Sequence, residues 1–191
     1  MAVFLDRDGT LIRDVHYLHK IEQVTVLPGV AQALRLLRCA GLKLVMISNQ
    51  SAVARGYLSE ASLQEIHKEL TKRLESAGAR LDAVYYCPHH PTEGMGDYRT
   101  VCDCRKPKTG MIKRATAELG LDPKSSFMVG DQIIDMELAA AVGARGVLLD
   151  PTGDGSYPIT AGDFPIVADL AQAAQWILDH LPHVASREQA R

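Results

Sequence analysis

The stretch Val3-Phe4-Leu5-Asp6-Arg7-Asp8-Gly9-Thr10 organises the rest of this 191-residue chain. Its apolar part predicts a buried strand, and two aspartates stand where that strand ends. Residues i and i+2 of an extended segment point the same way, so Asp6 and Asp8 can face one small site. Two neighbouring carboxylates repel each other, which favours a hard cation such as Mg²⁺ between them. Taken alone, an Asp-x-Asp-Gly sequence is as often a polar turn as a metal site.

The composition excludes several broad classes of function. Hydrophobic residues make up 47% and charged residues 23% of the chain, which is typical of a globular protein. The net charge of -2 argues against nucleic acid or a membrane surface as a partner. No apolar run reaches the roughly 18 residues of a spanning helix, and no signal peptide precedes the first strand. We therefore expect a cytoplasmic location. In such a reducing compartment, cysteines point to metal ligation rather than to disulfides, and Cys39 is predicted to be a small core residue.

Strand and helix patterns alternate along the chain, which predicts βαβ units and a parallel sheet. We expect an α/β fold: a three-layer sandwich with a mainly parallel, Rossmann-like sheet, a minimal cap and a single domain over residues 1–191. Residues 150–164 have the composition of a loop, and the tail 185–191 is expected to be frayed. After the first strand, the predicted strands are Lys43–Ile47, Leu81–Tyr86, Ser126–Val129 and Gly146–Leu149, and the predicted helices are Val30–Cys39, Glu60–Ala77, Met111–Leu119, Ile134–Val142 and Val167–Leu181.

Polar clusters stand at four predicted strand ends, and a parallel sheet brings such ends to one edge. Phosphoryl transfer needs such a set: a nucleophile, a metal, donors for the phosphoryl oxygens and a cation beside them. The clusters are Asp6 with Asp8, Ser48-Asn49-Gln50, Arg105-Lys106-Pro107, and Gly130-Asp131 with Asp135.

Each of these residues can be given one role. Asp6 can be the nucleophile, because carboxylates form aspartyl-phosphate intermediates. Asp8 can protonate the leaving oxygen and later deprotonate water. Asp131 completes the Mg²⁺ site with Asp6 and the backbone carbonyl of Asp8. The Ser48 hydroxyl and backbone N–H groups can bind phosphoryl oxygens, and Lys106 can neutralise charge on the phosphate and the nucleophile.

Each cluster alone also has a plainer explanation. Ser48-Asn49-Gln50 is explained by a simple turn, Asp131 by a helix cap, and Lys106 by the surface. Their joint order and their placement at strand ends favour the site. With these motifs the chain resembles the haloacid dehalogenase superfamily of phosphohydrolases, from Asp6 to Asp135. The resemblance implies the same roles as the chemistry of the residues.

A long segment without a regular period, residues 87–108, contains three of the four cysteines. Cys87-Pro88-His89 and Cys102-Asp103-Cys104 form two pairs of soft ligands, and the i, i+2 spacing lets both members of a pair face one ion. They predict a closed, structural Zn²⁺ site, with His90 as the competing ligand to His89. A zinc ion there would brace the loop that carries Lys106. The predicted ligands are Cys87, His89, Cys102 and Cys104.

The zinc loop and the phosphatase motifs together narrow the resemblance to the branch that holds D-glycero-D-manno-heptose-1,7-bisphosphate 7-phosphatases and histidinol-phosphate phosphatases. Three stretches of sequence resemble those of the heptose enzymes: residues 85–91, 102–107 and 49–56. That resemblance implies removal of the C7 phosphate of a heptose bisphosphate in lipopolysaccharide core biosynthesis, with catalytic Mg²⁺ and structural Zn²⁺. It implies a substrate pocket lined by Asp14, Val15, His16, Tyr17, Ser48, Asn49, Gln50, Ser51, Arg105, Lys106 and Gln132.

A second phosphate on the substrate calls for extra positive charge at the mouth of the site, which Arg55 and Arg105 can supply. Ser51-Ala52 stands where histidinol phosphatases often have Asp-Gly. This chain therefore lacks the extra carboxylate that would bind the amine of histidinol phosphate. Arg55 can equally pair with a surface acid. The alternatives are a histidinol-phosphate phosphatase, a phosphotransferase and a zinc-stabilised binding module without catalysis. The expected partner is a small sugar bisphosphate, and the lack of an apolar seam favours a monomer.

Overall fold

One parallel sheet forms the centre of the molecule, in a computed structural model that describes residues 1–153 and 164–181. Its six strands lie in the order β3-β2-β1-β4-β5-β6, and every neighbouring pair is parallel. The strands are β1 Ala2–Leu5, β2 Lys43–Asn49, β3 Ala83–Cys87, β4 Phe127–Gly130, β5 Arg145–Leu149 and β6 Ile166–Val167. This architecture confirms the predicted α/β class with a parallel sheet.

Helices connect the strands and begin and end at residues suited to those positions. Ser59 accepts a hydrogen bond from the Ser62 N–H at 3.0 Å and caps α3. Gly120 adopts a left-handed conformation (φ 62°) and ends α4. The helices are α1 Val30–Cys39, α2 Ser51–Ala54, α3 Glu60–Ser76, α4 Gly110–Leu119, α5 Ile133–Val142 and α6 Leu170–Asp179.

Alternate residues of β1 bury their side chains on opposite faces of the sheet, as the pleat requires. Val3 and Leu5 pack into a core shared with α1, α3 and α6. Phe4 packs into a second core shared with α4 and α5. Burial of each such side chain contributes roughly 1.5–3 kcal/mol. The two cores give the three layers that the sequence predicts, and they hold β1 at the centre.

Several local predictions were wrong. Val167 lies in the short strand β6, not in the last helix, which begins at Leu170 after Asp169 accepts from the Gln172 N–H at 2.9 Å. Residues 51–54 form the short helix α2, whereas the sequence predicts only a loop after Ser48-Asn49-Gln50. Cys39 is exposed rather than in the core, because the buried face of α1 ends at Leu37. Residues 154–163 of the predicted loop and the predicted frayed tail 185–191 lie outside the described residues.

Within residues 1–153 and 164–181, no helix has both the length and the apolar character needed to cross a membrane.

Candidate active site

The carboxyl edge of the sheet gathers the polar residues that the sequence places at strand ends. Asp6 directly follows β1, and its N–H donates to the Val129 carbonyl of β4 at 2.9 Å. Lys106 arrives from the loop that follows β3. Asp135 lies in the first turn of α5. The side chains of Asp6, Lys106 and Asp135 are all buried, so they meet in a place of low water content.

Lys106 bridges two of these carboxylates. Its ammonium Nζ lies 2.8 Å from Asp6 Oδ1 and 2.7 Å from Asp135 Oδ1. Burial acts to lower the pKa of Lys106, but the charges of Asp6 and Asp135 outweigh it and raise that pKa above its ordinary range. The lysine is therefore a fixed cation against the predicted nucleophile. The predicted role of Lys106 as a neutralising charge matches this position.

Asn49 at the end of β2 fixes the backbone that carries this lysine. Its side-chain Oδ1 accepts from the Lys106 N–H at 2.9 Å, and its Nδ2 donates to the Lys106 carbonyl at 3.2 Å. Two hydrogen bonds to the same peptide backbone fix both the position and the direction of the chain at Lys106. Asn49 therefore sets the path along which the Lys106 side chain reaches Asp6.

Three carboxylates form a group that suits a hard cation. One oxygen from each of Asp6, Asp131 and Asp135 lies within 4.8 Å of the others. Burial, followed by the charges of Asp6 and Asp135, raises the pKa of Asp131 to about 7. Gly9, at φ 71°, brings the loop so close to Asp131 that a Cβ there would collide with its carboxylate. The oxygen ligands and the crowded negative charge fit Mg²⁺.

A cavity of about 190 Å³ opens beside these residues. Its wall combines the strand ends with the segment before α1 and the loop after β3. Of the predicted site residues, it is lined by Asp6, Asp8, Asp14, His16, Tyr17, Asn49, Gln50, Ser51, Arg105, Lys106 and Gln132. Carboxylates, cations and amides thus face one space that can hold a small polar molecule.

The four predicted zinc ligands also meet. Cys104 Sγ lies 3.2 Å from the sulfur atoms of Cys87 and Cys102 and 3.3 Å from His89 Nδ1. A tetrahedral ion with bonds of about 2.3 Å to sulfur has ligands roughly 3.8 Å apart, so small outward shifts would admit zinc. His90, by contrast, accepts backbone N–H groups of Thr92 and Glu93 with its Nδ1. The geometry therefore favours His89 over His90 as a ligand.

Comparison with known proteins decides the family. A family model described as HAD-hydrolase-like matches residues 103–173. The D-glycero-beta-D-manno-heptose-1,7-bisphosphate 7-phosphatase of Pasteurella multocida is 42% identical over 180 residues, which are 94% of this chain and 92% of that one. The chain belongs to this phosphatase family. Its Haemophilus ducreyi relative of the same name is 46% identical over 80% of this chain and 84% of its own length.

A solved structure agrees with membership in the heptose-bisphosphate phosphatase family. It is the D,D-heptose 1,7-bisphosphate phosphatase of B. bronchiseptica, complexed with magnesium and phosphate. It is 32% identical and has a TM-score of 0.79, over 94% of this chain and 99% of that one. A putative HAD-like phosphatase from Mesorhizobium loti, 29% identical, has a TM-score of 0.80 over 92% and 86%. Such likeness over nearly the whole chain confirms the expected haloacid dehalogenase-like fold.

Four predicted site residues of this family member do not line the cavity: Val15, Ser48, Arg55 and Asp131. Ser48 is 1% exposed, and its hydroxyl accepts from Gln50 Nε2 at 2.7 Å. Arg55 pairs with Glu93 and lies over the Tyr17 ring, 5.4 Å from its centroid. Contacts of Ser48 and Arg55 with substrate stay predictions. The carboxylate of Asp8 is not part of the group formed by the other three carboxylates. Coordination of the metal by the backbone carbonyl of Asp8 stays a prediction.

Sequence reasoning missed three residues of this region. Asp135 was recognised as part of a motif but not as a metal ligand or as the second partner of Lys106. Arg7 was treated as a spacer between the aspartates, yet it is 1% exposed and bonded to Asp8. His67 lies on the buried face of α3, among Leu63 and Leu70. A lone histidine on an apolar helix face was the available signal for this last residue.

The free energy of unfolding is expected to decrease in acid because of His67. Burial, followed by the charge of Arg7, lowers the pKa of His67 from 6.5 to about 3. Between these values the unfolded chain binds a proton that the folded chain does not, so stability is lost as the pH falls and is constant above 6.5 for this group. From pH 7 to pH 5 the loss should be roughly 2 kcal/mol. Urea unfolding of wild type and His67→Gln at both pH values measures it, and an equal loss in both proteins would contradict it.

Proposed function

We propose that this chain is a Mg²⁺-dependent phosphomonoesterase that removes the C7 phosphate of D-glycero-D-manno-heptose 1,7-bisphosphate. Relatives of 39–46% identity with the corresponding name support the substrate. The observation that carries the reaction type is the contact of Lys106 with Asp6 at 2.8 Å beside a polar cavity. A carboxylate held by a buried cation at a cavity wall can attack phosphorus without being repelled by the substrate's own charge.

Asp6 attacks the phosphorus atom, the phosphorus–oxygen bond to C7 breaks, and an aspartyl phosphate forms. Asp8 donates a proton to the leaving sugar oxygen and then removes one from the water that cleaves the aspartyl phosphate. Lys106, whose Nζ lies 2.8 Å from Asp6 Oδ1, orients this carboxylate for the attack and offsets its charge. Backbone N–H groups after β2 and the side chain of Ser48 are the proposed donors to the phosphoryl oxygens.

Asp6, Asp131 and Asp135 are the side chains that would hold Mg²⁺, together with the backbone carbonyl of Asp8. The ion, when bound, neutralises charge on the phosphoryl group and orients it for in-line attack. Cys87, His89, Cys102 and Cys104 would hold Zn²⁺ with four protein ligands, which is the arrangement of a structural site. This cluster is linked to the cavity by Arg105, whose Nη1 donates to the His89 carbonyl at 3.0 Å and to Ser51 Oγ at 2.9 Å.

The substrate has a second phosphate, at C1, that must be tolerated outside the metal site. Arg105 lines the cavity and supplies positive charge there. Arg55 is not part of the cavity wall but lies over the ring of Tyr17, which is, and it already pairs with Glu93. A bisphosphate can compete with Glu93 for Arg55, whereas the amine of histidinol phosphate gains nothing from either arginine. The chain is further proposed to act as one monomeric domain over residues 1–191, in the cytoplasm and in lipopolysaccharide core biosynthesis.

A panel of phosphorylated metabolites tests the substrate. We expect kcat/KM for heptose 1,7-bisphosphate to exceed that for histidinol phosphate by at least ~10²-fold, which is about 2.7 kcal/mol of transition-state binding. Both compounds are assayed with the same Mg²⁺-loaded enzyme, and product analysis distinguishes release of inorganic phosphate from transfer to another acceptor. Equal or better turnover of histidinol phosphate would replace the proposed substrate with that compound. No turnover of any phosphate ester would favour the binding module.

A further inference from the structure

A buried chain of polar contacts leads from Asp8 into helix α3. Arg7 donates to Asp8 through Nε, 3.1 Å from Oδ1, and through Nη2, 2.9 Å from both Oδ1 and Oδ2. On its other side, Arg7 Nη1 lies 3.2 Å from His67 Nε2. A guanidinium that grips both oxygens fixes the plane of a carboxylate as well as its position. The Arg7 guanidinium therefore holds the Asp8 carboxylate in one orientation relative to the cavity.

His67 acts in this chain as an acceptor. The guanidinium has donors only, so Nε2 must present its lone pair to Arg7 and the ring must be neutral. Burial and the charge of Arg7, which lower the pKa of His67 to about 3, keep it neutral at physiological pH. The ring packs beside Tyr86, with centroids 5.3 Å apart, and lies outside the cavity wall. The contact with Arg7 therefore links His67 to Asp8 at the cavity wall.

The contacts of Arg7 are those of a clamp rather than of a general structural anchor. Among residues 1–153 and 164–181, the side chain of Arg7 makes three hydrogen-bond contacts with Asp8 and one with His67. Gln50 Nε2 donates to Asp8 Oδ2 at 3.0 Å and completes the set of donors around the carboxylate. The Asp8 side chain keeps 23% exposure and lines the cavity. One side of the carboxylate is thus held, and the other is open to a bound molecule.

We propose that Arg7, held from behind by His67, is the positioning residue that fixes Asp8 for proton transfer. The proposal rests on the proposed function, because a fixed Asp8 matters only where it handles a proton. Loss of the clamp should lower the rate of proton transfer while leaving the binding of substrate, and the attack by Asp6, largely intact. Substrates whose leaving oxygen needs protonation should suffer most.

Two variants of His67 test the clamp. His67→Leu removes the acceptor behind Arg7, whereas His67→Gln keeps an acceptor oxygen at similar reach. The step to measure is formation of the aspartyl phosphate in a single turnover, because the later attack of water needs Asp8 whichever ester is used. With heptose bisphosphate, whose leaving group is an alkoxide, His67→Leu should slow this step about 10-fold, with the substrate concentration for half-maximal rate within about 2-fold. With p-nitrophenyl phosphate, whose leaving group needs no proton, the loss in this step should stay below about 3-fold. His67→Gln should recover at least half of the wild-type rate, and Asp8→Asn should show the same ranking of substrates with a larger loss.

A second readout does not depend on turnover. In protein with ¹⁵N-labelled arginine, the Nε–H of Arg7 should exchange slowly with solvent in wild type and in His67→Gln, and at least about 10-fold faster in His67→Leu. Equal loss in the rate of aspartyl-phosphate formation on both phosphate esters, or loss that only follows the folded fraction, would overturn the positioning role. If wild type hydrolyses no phosphate ester, the proposed function fails on its own, and fast exchange of Arg7 in wild type would overturn the clamp separately.

Discussion

Asp6→Asn is expected to lower kcat by about 10⁴-fold or more while the protein keeps its fold and its thermal midpoint. An amide cannot form the aspartyl phosphate, so the variant loses the only proposed covalent route. It has nearly the same shape as the carboxylate, and Lys106 keeps its contact with Asp135 at 2.7 Å. Steady-state hydrolysis of heptose bisphosphate and of an aryl phosphate measures the loss, and circular dichroism checks the fold.

Asp179→Asn is the matched control for this change. Asp179 is an exposed residue at the end of α6, where it accepts from Gln175 Nε2 at 2.9 Å, and it is remote from the cavity wall. It should retain the wild-type kcat. Rapid quenching with labelled substrate should trap covalent phosphate on wild type and on the control but not on Asp6→Asn. Residual activity above about 1% in a preparation free of other phosphatases would remove Asp6 from the nucleophile's role.

Cys104→Ser is expected to abolish the proposed binding of zinc and to lower the thermal midpoint by about 10 °C or more. Binding of structural zinc contributes about 10–16 kcal/mol in small domains, so loss of one of four ligands should cost several kcal/mol of stability. The sulfur of Cys104 lies within 3.3 Å of a ligand atom of each of the three other members of the cluster. Activity should fall with stability, because the same loop carries Arg105 and Lys106.

Cys39→Ser provides the control within the same chain, since Cys39 is exposed on α1 and outside the cluster. It should keep one zinc per chain and the wild-type midpoint. Metal analysis by mass spectrometry, on protein purified without a chelator, counts the ion before and after each substitution. Wild-type protein without zinc, or an unchanged midpoint in Cys104→Ser, would refute the structural metal.

The strand and helix pattern predicted most of this architecture because the sheet is parallel and buried on both faces. Its strands are apolar runs, and the glycines after α4 and α5 end their helices in left-handed conformations. The two residues of β6 were missed because so short an edge strand carries no period to detect. Cys39 was misplaced because the apolar stripe of α1 stops two residues before it. The sequence pattern thus predicts the type of the longer helices and strands, but not short elements or the residues at which elements end.

The contacts in the candidate active site were also predictable only in part. The meeting of Asp6 and Lys106 could be predicted, because a parallel sheet brings the segments that follow β1 and β3 to one edge. Contacts made by long side chains could not be predicted from the sequence. Arg7 should point away from its neighbours in a regular strand, but the chain turns after Asp8 and lets the guanidinium fold back onto that carboxylate. His67 enters the same network from a helix 60 positions further along, a distance that no local pattern spans.

The central position of β1 has a consequence for the order in which the chain is made. β1 precedes the other five strands in the chain, yet one of its two neighbours is β4, which begins at Phe127. The strand before Asp6 therefore leaves the ribosome long before the strand that completes its pairing. During that time Asp6 lacks the Val129 carbonyl that accepts from its N–H in the finished sheet. Prematurely terminated chains that end before β4 carry the whole aspartate motif and should nevertheless be inert toward phosphate esters.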